Sequence, residues 1–389
     1  MTQAFSIPRS IIYGENALEH LSTLSGKKAA LVTGGSSMKR FGFLDKAVSE
    51  LNKAGMECII IDNVEPNPSI TTVWRGAKEM QAFEPDWIVA IGGGSALDAA
   101  KVMWCFYEHP QLKFEDILPV GSMPALRNKA RFVAIPSTSG SASEITAFSV
   151  ITDTANHIKH PIVAADLVPD IAILDPTIPA KMPPHVTVHT GMDVLTHAIE
   201  AYVSTAANSF TDPYAVEAIR LVFKYLETAW RSPDDINARM HMHNASALAG
   251  IAFTNASLGL VHAMAHKIGG EFGITHGLAN AIMLPYIIRY NAKFTKKYRQ
   301  LEAALGINNL SDAINALNQR LGVPKTLSQC DEVEINEVTF VNVLDRMSRH
   351  AVDDPCTLTN PNYPVSYTHL RPHETRRHLV CRLLLEKKK

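Results

Sequence analysis

Five short apolar runs in the first half of the chain constrain its fold more than any other feature. They are "KAALVTG", "CIIIDNV", "DWIVAIGGGS", "RFVAIPSTSG" and "DIAILDP", and each closes on or near Gly, Pro, Ser or Asp. Runs rich in Val, Ile and Ala, bounded by loop residues, read as parallel strands buried on both faces. Between them "GFLDKAVSELNKAG" and "ITTVWRGAKEMQAF" repeat apolar residues at helical spacing. Strand–helix alternation predicts an open, mostly parallel α/β sheet that binds its ligands beyond the carboxyl ends of the strands.

The texture changes at Pro179, Pro183 and Pro184. Beyond them the pattern is nearly all helical, as in "PYAVEAIRLVFKYLETAW" and "LSDAINALNQRL". The 389 residues therefore divide into an α/β domain, 1–180, an all-helical domain, 181–362, and an atypical basic tail, 363–389. The tail reads as solvated or non-native, the alternative being a nucleic-acid-binding basic helix. With 37 Lys and Arg against 38 Asp and Glu, the charge gives no reason to expect nucleic acid or a membrane surface as partner. Five scattered cysteines without a CxxC pair, and a start lacking a signal-peptide pattern, point to a reducing cytoplasm.

Three loops at strand ends are candidate phosphate sites. "IGGGSALDAAK" places Gly93, Gly94 and Ser95 before a helix, whose N-terminal N–H groups and dipole favour an anion. Asp98 lies in that helix's first turns, and Lys101 is either near the loop or on the surface. In "LVTGGSSMKR", Gly34, Ser36 and Ser37 lead to Lys39 and Arg40, where an NAD-selective site sets a carboxylate. Hydroxyls, N–H groups and cations suit a 2′-phosphate, which favours NADP(H) over NAD(H). "IPSTSGSASEIT" adds Ser137, Thr138 and Thr146. Each segment taken alone also serves as a plain turn or polar loop.

In "GMDVLTHAIEAY", Asp193 and His197 stand four positions apart on one helical face. "GLVHAMAHKIGGEFGITHG" then offers His262 and His276, with glycines between them to break the helix and fold the second histidine back. One carboxylate and three imidazoles make a four-ligand set suited to Fe²⁺ or Zn²⁺, not to Ca²⁺ or Mg²⁺. His266, one turn after His262, is a candidate for handling a proton at the substrate oxygen. His160, His185, His189, His241 and His243 lack such company.

Together "IPRSIIYGENAL", "VEPNPS", "IGGGSALDAAK", "IPSTSGSASEIT", "ILDPTIP", "GMDVLTHAIEAYVS" and "NASLGLVHAMAHKIGGEFGITHGLANAIMLPYI" resemble the iron-containing (group III) alcohol dehydrogenase family, in order over roughly residues 7 to 361. The resemblance implies a dinucleotide-binding domain followed by a helical one, the architecture shared with dehydroquinate synthase, with the active site between them. It implies metal ligands Asp193, His197, His262 and His276, with His266 as an extra active-site histidine. Cofactor contacts implied in the same way are Asn67, Gly93, Gly94, Ser95, Ser137, Thr138, Thr146, Lys159 and Leu174. NAD-preferring members tend to carry Asp where this chain has Gly34. The implied reaction is hydride transfer between a nicotinamide and a small primary alcohol or aldehyde, with Phe253 lining an apolar pocket. A homo-oligomer, dimer or larger, is expected. Alternatives are a glycerol-dehydrogenase-like polyol enzyme, a dehydroquinate-synthase-like cyclase, or a filament-forming relative of the alcohol half of bifunctional aldehyde-alcohol dehydrogenases.

Overall fold

A computed structural model describes residues 4–156, 158–335 and 337–364. The tail beyond residue 364 lies outside the described residues. The α/β part runs β1 (Ser10–Tyr13), β2 (Lys28–Gly34), α1 (Ser37–Arg40), α2 (Phe43–Lys53), β3 (Glu57–Val64), α3 (Ile70–Phe83), β4 (Trp87–Gly92), α4 (Gly94–Glu108), β5 (Arg131–Pro136), β6 (Phe148–Asp153), β7 (Ile158–Val163) and β8 (Ile171–Leu174). Six strands form one wholly parallel sheet in the order β1-β8-β5-β4-β2-β3. β6 and β7 pair apart from it as an antiparallel hairpin.

Alternation along the central strands explains their unbroken apolar character. Ala30, Val32, Ile88, Ala90, Phe132 and Ala134 face a core with α3 and α4. Their neighbours Leu31, Val89, Ile91, Val133 and Ile135 face a second core with α2. Both faces are dry along the middle of these strands, and the polar residues Lys28, Thr33 and Arg131 stand at or near their ends. Ser69 caps α3, its Oγ accepting from Thr72 N at 3.2 Å, a contact worth about 1 kcal/mol.

The helical part comprises α5 (Pro184–Val203), α6 (Asp212–Arg231), α7 (Ile236–Ala256), α8 (Leu260–Phe272), α9 (His276–Asn291), α10 (Lys297–Leu305), α11 (Leu310–Arg320) and α12 (Glu337–Val352). These share one continuous apolar core. No single described helix is long and apolar enough to cross a membrane. Cys58, Cys105, Cys330 and Cys356 are free thiols.

The loop after β5 joins the two parts. Ser139 Oγ and His243 Nδ1 of α7 are 2.9 Å apart and buried. Gly250 of α7 lies so close to Ala142 that an added Cβ would meet it at 2.6 Å. Lys101 is not a surface residue. Its fully buried ammonium donates to Thr146 O at 2.7 Å and Phe148 O at 2.8 Å, pinning the end of this loop to α4. Burial lowers its pKa to about 8, against the opposing pull of Asp98 and Glu144.

Candidate active site

At the carboxyl edge of β2, β4 and β5 the three glycine and hydroxyl loops come together. Gly92 has φ +155, and a Cβ there would meet the Ala96 side chain at 2.9 Å, so the turn into α4 requires glycine. Gly93 precedes α4 in extended conformation with no side-chain cap, leaving the helix's first N–H groups to a ligand. Ser137 N donates to Gly92 O at 2.8 Å, laying the β5 loop beside it, and Thr138 flanks Gly93. Gly34 lies on the other side, against Ala96. Ser36 and Ser37 open α1, and the Lys39 and Arg40 that follow are exposed.

Asn67, Ser95 and Lys159 form one connected group at the same edge. Lys159 Nζ donates to Asn67 Oδ1 at 2.8 Å, and Asn67 N donates to Ser95 Oγ at 3.3 Å. Leu174 closes β8 and is buried. Thr146 turns inward toward Lys101. Asp98 has both oxygens engaged, one by Ser143 Oγ at 2.6 Å and one by Val150 N at 2.9 Å, and burial raises its pKa. Its carboxylate thus braces α4 against the loop that carries Thr146.

The second constellation is on α5, α8 and α9. Asp193 and His197 share the buried face of α5, as their spacing predicts. His262 sits in the first turn of α8. The helix ends at Phe272, Gly273 adopts φ +75, and α9 starts at His276, so the glycine stop does return this histidine to its partner. Gly277 is equally constrained, because a Cβ there would overlap the His189 carbonyl.

The four side chains converge, one ligand atom of each lying within 4.8 Å of the others. Asp193 Oδ1 is 3.6 Å from His262 Nε2 and 3.5 Å from His276 Nε2, and its Oδ2 is 3.9 Å from His197 Nδ1. A tetrahedral centre with bonds near 2.1 Å sets its ligands about 3.4 Å apart, so the spacing fits with small adjustment. Two further observations support the fit. His197 Nδ1 is buried without a hydrogen-bond partner. Asn280 Nδ2 stands 2.7 Å from Asp193 Oδ1 and 3.2 Å from His276 Nε2, presenting its two N–H groups to lone pairs that a cation would use.

Charge is tuned in the same sense. Burial holds His197 down to about 3, and loss of hydration within the cluster also lowers His276, whose ring keeps a partly exposed edge, so both are neutral at neutral pH. Burial alone would raise Asp193, but the surrounding imidazoles outweigh it and keep the carboxylate ionised. Burial would lower His262, yet hydrogen bonds to Asp193 and Glu200 lift it to about 9. In the metal-free protein His262 therefore carries a proton that a metal must displace. A folded pKa raised above the ordinary 6.5 adds stability below that value, and the gain disappears as pH rises through about 9. Metal-free protein is expected to lose stability between pH 6.5 and 9 while metal affinity rises. The melting-point increase on adding metal should thus be larger at pH 9 than at pH 6.5, and thermal shift with and without metal at both pH values tests this.

Three residues here escaped the sequence reading. Glu200 Oε2 is 2.6 Å from His262 Nδ1. Asn280 is one turn after His276. Asp354 Oδ2 is 3.1 Å from His266 Nδ1 and 2.8 Å from Lys267 Nζ. His266 is 39% exposed and stacks on His276, with ring centroids 5.3 Å apart. Phe253 stacks on His197 at 4.4 Å and approaches Phe148 at 6.0 Å, so a single aromatic ring separates the metal-type cluster from the strand following Thr146. The other histidines lie outside the cluster. His243 holds Ser139, and His189 faces Thr275 at 3.0 Å.

Comparison with known proteins matches this arrangement to one family. The family model described as iron-containing alcohol dehydrogenase matches residues 8–176, and the C-terminal model of the Fe-containing alcohol dehydrogenase family matches residues 187–368. The chain belongs to the iron-containing alcohol dehydrogenase family. It is 50% identical over 367 residues to an NADPH-dependent butanol dehydrogenase of Clostridium saccharobutylicum, covering 92% of this chain and 93% of that protein. Identity to the bifunctional aldehyde-alcohol dehydrogenase of Escherichia coli (strain K12) is 36% over 400 residues, covering 92% of this chain but 44% of that longer protein. An iron-containing alcohol dehydrogenase from Thermococcus thioreducens superposes with a TM-score of 0.86 at 36% identity, covering 93% of this chain and 96% of that one. The fold and the activity implied by the sequence blocks are those of the family. This chain is an NAD(P)-linked alcohol dehydrogenase.

Proposed function

We propose that this dehydrogenase interconverts small primary alcohols and aldehydes with an iron ion held by Asp193, His197, His262 and His276, and that it prefers NADP(H) to NAD(H). The observation that carries the reading is the convergence of those four donors beside the segment that follows β5, where Gly140 bonds His197 and Phe253 lies between His197 and Phe148. The same donors would also hold Zn²⁺. Held there, the metal would supply Lewis-acid polarisation of the substrate oxygen and the nicotinamide would supply the hydride chemistry. NADP(H) preference is supported by the absence of a carboxylate at Gly34, by Lys39 and Arg40, and by the NADPH-dependent relative. Free cysteines support a cytoplasmic site, and the family resemblance supports a homo-oligomer with a domain division at 180/181.

The chain's own groups do the rest. The glycine loop and the free N-terminus of α4 cradle the pyrophosphate, with Asn67, Ser95, Ser137, Thr138 and Lys159 around it. Phe253 excludes water from one wall and offers an apolar face to a short alkyl chain. Hydrogen bonding of His266 Nδ1 to Asp354 leaves Nε2 as the nitrogen that takes up or releases a proton, within reach of solvent. The contacts with His266 and Lys267 outweigh burial and hold Asp354 ionised, which fixes that orientation. His266→Ala is expected to lower kcat by about 10²-fold, within the usual range for a general acid–base group. Asp354→Asn should have a smaller effect in the same direction. Steady-state kinetics with solvent isotope effects distinguish a lost proton route from lost binding.

Metal analysis of the purified protein, with NADPH and NADH kinetics over short aldehydes and glycerol, tests the whole reading. Stoichiometric iron and preference for NADPH with a short aldehyde support it. Protein without iron, or faster turnover with glycerol and NAD⁺, overturns it.

A further inference from the structure

We infer that Glu200 is the positioning residue of the metal centre: it fixes both the ring of His262 and the backbone that carries it. This rests on the reading that Asp193, His197, His262 and His276 hold a metal. Glu200 follows Asp193 and His197 on the same face of α5, at i+7 and i+3, and is 3% exposed. A buried carboxylate is costly unless its oxygens are satisfied. Here Oε2 lies 2.6 Å from His262 Nδ1 and accepts from Gly259 N at 3.0 Å and His262 N at 3.4 Å, while Oε1 accepts from Val261 N at 2.6 Å.

These amides are the open N-terminus of α8. Gly259 has no side chain to cap it, and a Cβ there would meet Glu200 Oε1 at 2.7 Å. The carboxylate thus occupies the cap position at the positive end of the helix dipole. Nδ1–H donation to Glu200 leaves the other nitrogen, Nε2, to face Asp193. Two buried carboxylates, Asp193 and Glu200, also balance one divalent cation among neutral imidazoles.

The neighbouring cap supplies a control. Asn360 Oδ1 accepts from Leu260 N at 3.2 Å, and the residue forms a reciprocal amide pair with Asn291 at 2.8 Å, without touching the His262 ring. Asn360→Ala therefore loosens the same helix start but leaves the ring's partner in place.

The test uses wild type, Glu200→Gln, Asn360→Ala and His262→Ala. It compares metal affinity by chelator competition, melting temperature, and the visible spectrum of Co²⁺-substituted protein. Glu200→Gln should bind metal 10–100-fold more weakly, the range for an outer partner of a metal-bound histidine, and shift the Co²⁺ bands. Asn360→Ala should lower the melting temperature yet keep wild-type affinity and spectrum. If Glu200→Gln does not fold, Glu200→Asp, one methylene shorter with the same charge, is expected to show the same weakening. Wild-type affinity and spectrum in the folded Glu200 variant overturns the inference, as does equal metal loss in Asn360→Ala. His262→Ala separates the two readings: full metal content in that variant defeats the metal site itself, whereas its loss alongside an unaffected Glu200 variant defeats only the role of Glu200.

Discussion

His262→Ala is expected to be purified without its metal and to turn over at least about 10³-fold more slowly, because a metal's contribution to oxygen polarisation is worth several kcal/mol. The size of the effect follows from where the ring lies. It stacks on His197 with centroids 4.4 Å apart, lies 5.3 Å from His276, and joins Asp193 on α5 to Glu200 through its two nitrogens. Truncation would remove one of the four proposed metal donors and leave the buried Glu200 carboxylate without its ring donor. Breaking a buried ion pair from one side costs about 3–5 kcal/mol, so the variant should also melt lower, in metal-free buffer as well as with metal. Metal content, thermal shift and kcat are read on the same preparation. A variant that keeps both metal and turnover sinks the site assignment.

Much of this architecture is legible because the sheet is covered twice. With both faces buried, β2 and β4 read as unbroken apolar runs, and α3 falls at residues 70–83 as its periodicity predicts. β1 is only four residues long and was visible only as part of a family motif. The β6–β7 hairpin escaped because it stands apart from the sheet and carries Thr152, Asp153, Lys159 and His160 among its apolar residues. At the site, spacing within one helix was readable and contacts between distant segments were not. Asp193 and His197 announce themselves at i and i+4. Glu200 continues that face, but a glutamate at i+7 looks like any helical carboxylate until Gly259 and Val261 are seen to donate to it. Lys101 could not be placed from sequence, since its partners are backbone carbonyls of Thr146 and Phe148, which carry no residue signature. Asp354 meets His266 from 88 positions away.

Gly34→Asp should cut kcat/KM for NADPH about 10²-fold more than for NADH, for reasons of charge, and should lower stability for reasons of space. Gly34 closes β2 opposite Val64, where the ladder to β3 slips register. A Cβ at this position would sit 2.7 Å from the Val64 carbonyl oxygen and 3.7 Å from Ala96 on the first turn of α4. Backbone on one side and a helix on the other leave little room to adjust, so any side chain forces the end of β3 outward. A carboxylate would add repulsion toward the 2′-phosphate that the proposed NADP(H) reading sets against the loop from Gly34 to Arg40. Like charges brought together cost several kcal/mol, and about 2.7 kcal/mol already gives 10²-fold. Gly34→Ala separates the two effects, since it makes the same steric contact without the charge. It should melt lower and weaken both coenzymes alike, so the ratio of NADPH to NADH efficiency changes only in the aspartate variant. Equal losses for the two coenzymes in Gly34→Asp would mean that this loop does not hold the adenosine 2′ position, and that the preference for NADP(H) must be sought elsewhere along the edge of the sheet.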